Sequence, residues 1–307
     1  MTPLRLVFAG SPAAAVPSLE RLLASQHDVV AVITREDAAQ GRRGVLTPTP
    51  VAEAAGDREV IKANRLAGEA TERIAALAPD LGVIVAYGGL VREPLLSTPR
   101  LGWINLHFSL LPRWRGAAPV QRAIMAGDEV TGAAVFQLVP ELDAGDVFAQ
   151  ITQPIGQHQT AGHLLDALAE TGAGLLAQVV DCLAEGSARA EPQRGEITLA
   201  PKLTLEDGRL DWTQSAASIV NHVRGVTPEP GAFTTVDGAR LKVLDALVAR
   251  EAPRLAPGLL AFEGKRVLVG TASTPIELVT VQPAGKRAMP AADWWRGRTP
   301  AAETRAE

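Results

Sequence analysis

Four short apolar runs, residues 4–9, 29–34, 81–86 and 103–107, are separated by stretches with apolar residues at helical spacing, 14–25, 68–77 and 119–126. Short runs that are apolar at nearly every position read as strands buried on both faces, and strands alternating with helices build a mostly parallel sheet covered on both sides. The N-terminal part is therefore expected to be α/β, a doubly wound, mostly parallel sheet. Residues 131–138 and 147–155 flank a turn at 141–146 and are expected to add a hairpin, and a helix over about 161–184 closes this part.

The pattern then changes. Residues 186–203 carry two prolines and no period, as a linker does. A helix is expected at 215–224, then short strands at 231–235, 240–248, 258–261, 265–270 and 277–281. Asp237-Gly238 is a strong hairpin-turn signal. Short strands so closely spaced suggest a small β-barrel. The expected organisation is a catalytic domain over 1–185, a linker over 186–207 and a C-terminal domain over 208–307, with 300–307 disordered.

Composition excludes several classes. Apolar residues make up 47% and charged residues 21%, as in soluble globular proteins. No apolar run approaches the roughly 20 residues that span a bilayer, so no membrane partner is expected. The opening MTPLRLVFAGSP reads as a first strand rather than a signal peptide. The one cysteine, Cys182, cannot form an internal disulfide, which fits the cytoplasm. Net charge is −4, but it divides into −7 over 1–207 and +3 over 208–307. A positive C-terminal part gives RNA a side to approach, though ordinary scatter of surface charge explains the asymmetry as well.

The candidate chemistry lies in 101–122, LGWINLHFSLLPRWRGAAPVQR. Asn105 and His107 are polar groups on an otherwise apolar strand, and their spacing puts them on one face. Buried Asn and His need hydrogen-bond partners, and Asp143, in the Gly-containing turn ELDAGD, can supply one for His107. Acyl transfer to an amine needs donors for a developing oxyanion and groups that move protons. An Asn amide, an imidazolium and a carboxylate that orients the imidazole and raises its pKa meet those needs. On residue types alone, a structural Asn–His pair explains the pattern equally well. His27, His158, His163 and His222 lack such company. Zinc-ligand spacing, a G-x-S-x-G elbow and a G-x-G-x-x-G turn are all missing, although a doubly wound fold leaves a dinucleotide-binding oxidoreductase open.

Asn105–Gln121 together with Leu142–Asp146 closely resembles the formyltransferases that use 10-formyltetrahydrofolate. The resemblance implies a Rossmann-like catalytic domain with catalytic Asn105, His107 and Asp143. It implies a folate site at Ser109, Leu110, Leu111 and Pro112, with a pterin-side loop at Ala86, Tyr87 and Gly88. Phe108 departs from the family, which usually has Gly there. Over nearly its whole length the chain is most similar to the branch whose acceptor is methionyl-tRNA. That likeness implies an OB-like β-barrel as the C-terminal domain. It also implies tRNA contacts at Arg42 and Arg43 in the insert 35–46, at Lys202, and at Lys286 and Arg287. The expected activity is transfer of the formyl group to the α-amine of initiator methionyl-tRNA for translation initiation, by a cytoplasmic monomer that needs no metal. A sugar-nucleotide N-formyltransferase on the same catalytic domain is the alternative.

Overall fold

The structure, a computed structural model, describes residues 2–40, 44–298 and 303–307. In chain order the elements are β1 (Arg5–Gly10), α1 (Val16–Leu23), β2 (Asp28–Thr34), β3 (Ala38–Gln40), β4 (Val45–Thr47), α2 (Pro50–Ala54), β5 (Glu59–Lys62), α3 (Glu69–Ala76), β6 (Leu81–Val85), β7 (Trp103–His107), β8 (Arg115–Gly116) and α4 (Pro119–Ala126). They continue with β9 (Val130–Gln137), β10 (Val147–Pro154), α5 (Ala161–Glu185), β11 (Leu199–Ala200), α6 (Ala216–Gly225), β12 (Ala232–Val236), β13 (Ala239–Val248), β14 (Leu260–Glu263), β15 (Arg266–Val269), β16 (Ile276–Pro283), β17 (Met289–Pro290) and α7 (Ala291–Arg296). The chain forms two compact units that interleave along the sequence. The first comprises Met1–Pro119, Val130–Pro154 and Leu165–Ala200, the second Val120–Glu129, Ile155–Leu164 and Pro201–Glu307.

The first unit is built on a seven-stranded sheet of order β10-β9-β7-β6-β1-β2-β5. β5, β2, β1, β6 and β7 run parallel, β9 pairs antiparallel with β7, and β10 antiparallel with β9. All of β6 and nearly all of β1 are buried, as continuous apolar runs in a sheet covered on both faces must be. After β5 the chain crosses back to lay β6 beside β1. The connections leaving β1 and β6 therefore diverge, and a crevice opens at the carboxyl ends of the parallel strands. β5 was not expected from the sequence because its ends, Glu59 and Lys62, are exposed and charged.

The centre of this sheet is packed without slack. A methyl group on Gly82 of β6 would lie 2.1 Å from the indole of Trp103, which is fully buried and donates its Nε1–H to the Leu95 carbonyl. Gly82→Ala is expected to destabilise the first unit by about 1–3 kcal/mol or more, because neither the ring nor the central strand has room to yield. A parental urea midpoint for this variant would show that the ring can move aside.

The helix expected at 161–184 is observed as α5. By length and composition alone it is long and apolar enough to cross a membrane, although Asp166, Glu170 and Asp181 keep any uninterrupted apolar run in it short. Its charged residues are few, and 44% of its most apolar window is buried within the protein. Gly172 on this helix packs against Leu106 of β7, so the apolar character serves the cover of the sheet.

In the second unit a sheet of order β12-β13-β16-β15-β14, with β17 on β16, wraps a core containing Trp212, Ile219, Val243, Val267 and Leu278. Asp237 and Gly238 join β12 to β13 with φ of +48° and +73°, the left-handed pair that a tight hairpin requires. The tail was expected to be disordered, but its described part, 303–307, is ordered by pairing. Ala306 bridges Val236 at the end of β12 and Arg305 bridges Leu259 beside β14, so backbone groups on both edge strands find partners.

Candidate active site

β7 delivers two polar side chains to the carboxyl edge of the sheet. Ile104 and Leu106 alternate with Asn105 and His107 and are buried. Asn105 is half-buried between Ile84 of β6 and Phe136 of β9, and among the described residues its carboxamide has no hydrogen-bond partner. A carboxamide at a crevice with free donors suits an oxygen that gains charge during a reaction.

His107 is held more tightly than its spacing suggests, with only 6% exposed. Its Nε2 lies 2.8 Å from the Trp114 carbonyl, and a carbonyl only accepts, so Nε2 carries the hydrogen. Nδ1 faces Asp143 Oδ2 at 3.8 Å, within ionic reach but too far for a hydrogen bond. Phe136 meets the ring edge-on at 6.3 Å. Burial pushes the His107 pKa below the ordinary histidine range, and this outweighs the upward pull of the Asp143 carboxylate and the Trp114 carbonyl. Asp143 acts in the expected sense, but desolvation wins. In the neutral ring that burial favours, the one N–H is committed to Trp114.

The loop after β7 is tied down residue by residue. Ser109, buried, donates its hydroxyl to the Arg113 carbonyl at 2.6 Å, Leu111 is buried, and Leu110 packs near Gly132. Leu111-Pro112 is cis, and Trp114 follows with φ +60°. Trp114 N–H donates to Thr198 Oγ1, Arg115 N–H to the Thr198 carbonyl, and Gly116 N–H to Asp143 Oδ2 at 2.7 Å. Gly116 has φ +124°, and a Cβ there would sit 2.7 Å from the Ala200 carbonyl oxygen. Only glycine lets β8 approach β11 this closely. The Phe108 ring is buried, so the larger residue is accommodated in the protein interior.

The Ala86-Tyr87-Gly88 loop leaves β6 with φ +48° at Ala86. Ser11 donates to the Tyr87 carbonyl, Arg35 Nη1 to the Gly88 carbonyl and the buried Tyr87 hydroxyl to the Ala63 carbonyl. Ala86 and Gly88 stay exposed, as a loop that presents backbone groups to a ligand must. Beside it a cleft of about 410 Å³ is lined by Ser11, Arg35, Thr47, Pro48 and Asn64. Among the described residues no group of three or more His, Cys, Asp or Glu is placed to hold a metal.

The other histidines are accounted for differently. His27 does have a carboxylate partner, Asp181 at 3.0 Å, but its Nδ1 accepts the Leu4 N–H, so the pair clips the chain together. His222 donates to the Asp207 carbonyl, and His158 and His163 are exposed. Lys202, Lys286 and Arg287 are exposed in the second unit, whereas Arg42 and Arg43 lie outside the described residues. Two basic residues that sequence reasoning did not single out, Arg240 and Lys242, stand exposed on β13. Lys242 pairs with Gln282, which donates to the Lys286 carbonyl. Their alternation with buried Leu241 and Val243 was the available signal.

Residues 4–180 match the family described as formyl transferase, and 202–299 match its C-terminal domain. Methionyl-tRNA formyltransferase of Clavibacter sepedonicus is 62% identical over 298 residues, covering 96% of this chain and 98% of that protein. That of Leifsonia xyli subsp. xyli is 62% identical over 296 residues, 96% of this chain and 97% of that one. Among solved structures, an N-formyltransferase from Helicobacter canadensis in complex with folinic acid and dTDP-3-aminofucose has a TM-score of 0.70 at 17% identity, over 91% of this chain and 99% of that one. A substituted HypX from Aquifex aeolicus has a TM-score of 0.65 at 19% identity over 96% of this chain, which spans 48% of the HypX chain. At such low identity these two share the fold. With both domain families matched and relatives this close, the chain belongs to the formyl transferase family.

Proposed function

We propose that this protein transfers the formyl group of 10-formyltetrahydrofolate to the α-amine of initiator methionyl-tRNA, giving N-formylmethionyl-tRNA, and that it acts as a cytoplasmic monomer. The observation that carries the reaction is the Asn105 carboxamide, without a hydrogen-bond partner among the described residues, on the same strand face as an imidazole set between the Asp143 carboxylate and the Trp114 carbonyl. The acceptor rests on relatives named for methionyl-tRNA at 62% identity over 96% of the chain.

In this reading residues 1–185 form the catalytic domain, 186–207 join it to the next, and 208–307 meet the tRNA. Ser109–Pro112 and Ala86–Gly88 hold the folate. The amine attacks the formyl carbon, and Asn105 donates to the oxyanion that develops. The neutral His107 takes the proton the amine loses, at Nδ1, and the imidazolium is stabilised by Asp143. The bond to the folate nitrogen then breaks as that nitrogen takes the proton from His107 Nδ1, which returns the imidazole to its neutral form. The test is incubation with 10-formyltetrahydrofolate and either methionyl-tRNA or amino-sugar nucleotides. Formylation of the sugar nucleotides alone would overturn the acceptor assignment.

Lys202, Lys286 and Arg287, together with Arg240 and Lys242, are proposed to meet tRNA phosphates, and Arg42 and Arg43 to grip its acceptor end. Replacing Lys286 and Arg287 together by Ala is expected to raise KM for methionyl-tRNA and leave KM for the folate near parental. The logarithmic salt slope should become shallower by about one to two units. An unchanged slope and KM would remove this patch from the interface.

A further inference from the structure

Gln193 lies in the stretch that the sequence marks as a linker, yet its side chain spends its whole hydrogen-bonding capacity beside Asp143. Nε2 donates to the carbonyls of Asp143 and Gly145, each at 2.8 Å. Oε1 accepts from Arg115 Nε at 3.1 Å and from Nη2 at 2.6 Å. Asp143 itself stands at φ +46°, in the left-handed region, which Asp tolerates better than most residues but which surrounding contacts still help to hold. The turn has little of its own to enforce it, since Ala144 N–H reaches the Glu141 carbonyl only at 3.4 Å. Nearby, Glu191 exchanges two backbone hydrogen bonds with Val147, which fixes the segment that carries Gln193 against β10.

We infer that Gln193 is a positioning residue for formyl transfer: it clamps the turn that aims the Asp143 carboxylate at His107 and ties that turn, through Arg115, to the loop that supplies the Gly116 N–H and the Trp114 carbonyl. The inference rests on the proposed role of Asp143. It requires an amide at 193. A carboxylate there keeps the Arg115 contact but faces two carbonyl oxygens with no hydrogen to give. A thioether of similar length keeps neither set of bonds.

The test uses the full-length protein with Gln193→Glu, Gln193→Met and Asp143→Asn in parallel. Thermal unfolding, kcat and KM for both substrates, and NMR titration of His107 are the readouts. A displacement of the turn by about 1 Å can cost roughly 10²-fold in rate. Both Gln193 variants are therefore expected to lose roughly 10- to 10²-fold in kcat, with KM values within about twofold of parental. In Gln193→Met the pKa of His107 is expected to fall, part of the way to its value in Asp143→Asn. Among the described residues, Asp143 is the acidic side chain that faces the imidazole, beside Phe136 and the Trp114 carbonyl. A purely architectural Gln193 would lower the unfolding temperature and leave the titration unmoved. Should Gln193→Met not fold, Gln193→Glu carries the rate measurement with the Arg115 contact intact. Parental kcat in the folded variants, with Asp143→Asn impaired, overturns the inference alone. If Asp143→Asn is itself parental, the catalytic reading has failed, and the His107 titration in Gln193→Met still decides whether Gln193 holds the carboxylate in place.

Discussion

Asn105→Ala is expected to lower kcat about 10²- to 10³-fold at saturating substrates while leaving both KM values close to parental. The size follows from where the carboxamide stands. It is half-buried at the carboxyl end of β7 and has no competing partner among the described residues, so its donors are free to meet the charge that appears on the formyl oxygen. Donors to charge that develops only during the reaction act on the transition state more than on the ground state, and their loss falls on kcat. The substitution removes a polar group that makes no hydrogen bond among the described residues, so folding stability should change little. Steady-state kinetics and a urea melt on the same sample check both halves. A rate within about threefold of parental would remove Asn105 from the chemistry.

Asp143→Asn is expected to cost about 10²- to 10⁴-fold in kcat, the range of a positioned acid–base group. The carboxamide oxygen can still accept the Gly116 N–H, so the turn should survive and the loss should report charge rather than geometry. The direction of the pH effect follows from the forces on His107. Burial lowers its pKa, and Asp143 is the larger of the two influences that raise it. Without the carboxylate the pKa falls further. If catalysis needs the neutral ring to accept a proton, the rate declines as pH drops through the His107 pKa. The acid limb of the kcat profile should therefore move to lower pH in the variant, at a much reduced maximum. NMR titration of His107 in both proteins measures the shift directly. An unchanged titration would mean that the 3.8 Å approach carries no interaction, and another role would be needed for Asp143.

Much of the fold is local enough to be read from the chain. The strand expected at 103–107 and the helix expected at 119–126 are observed over those residues. The parallel character of the first sheet and the Asp237-Gly238 hairpin also follow from burial pattern and turn chemistry, which are properties of neighbouring residues. The polarity of Asn105 and His107 on an apolar strand marked the same strand as the place of interest. Elements without a local signature were invisible. β8 and β11 are two residues each and exist because Gly116 lets two distant backbones meet. The tail 303–307 has no strand pattern, and it is ordered by the open edges of a sheet whose strands lie far away in sequence.

What the sequence alone determined is the choice of groups: an amide, an imidazole and a carboxylate, with Asn105 and His107 placed on one strand face by the period of the backbone. What only the tertiary structure decided is their state. Burial of His107 depends on Phe136, Trp114 and the loop around them, and it reverses the net pKa shift that the neighbouring carboxylate suggests. The same holds for Gln193, fifty residues beyond Asp143 in a stretch without period, whose bonds to Asp143, Gly145 and Arg115 come only from the folded path of the chain. Residue type sets what a side chain can do chemically. Dielectric surroundings and hydrogen-bond partners set what it does, and both are supplied by residues remote in sequence.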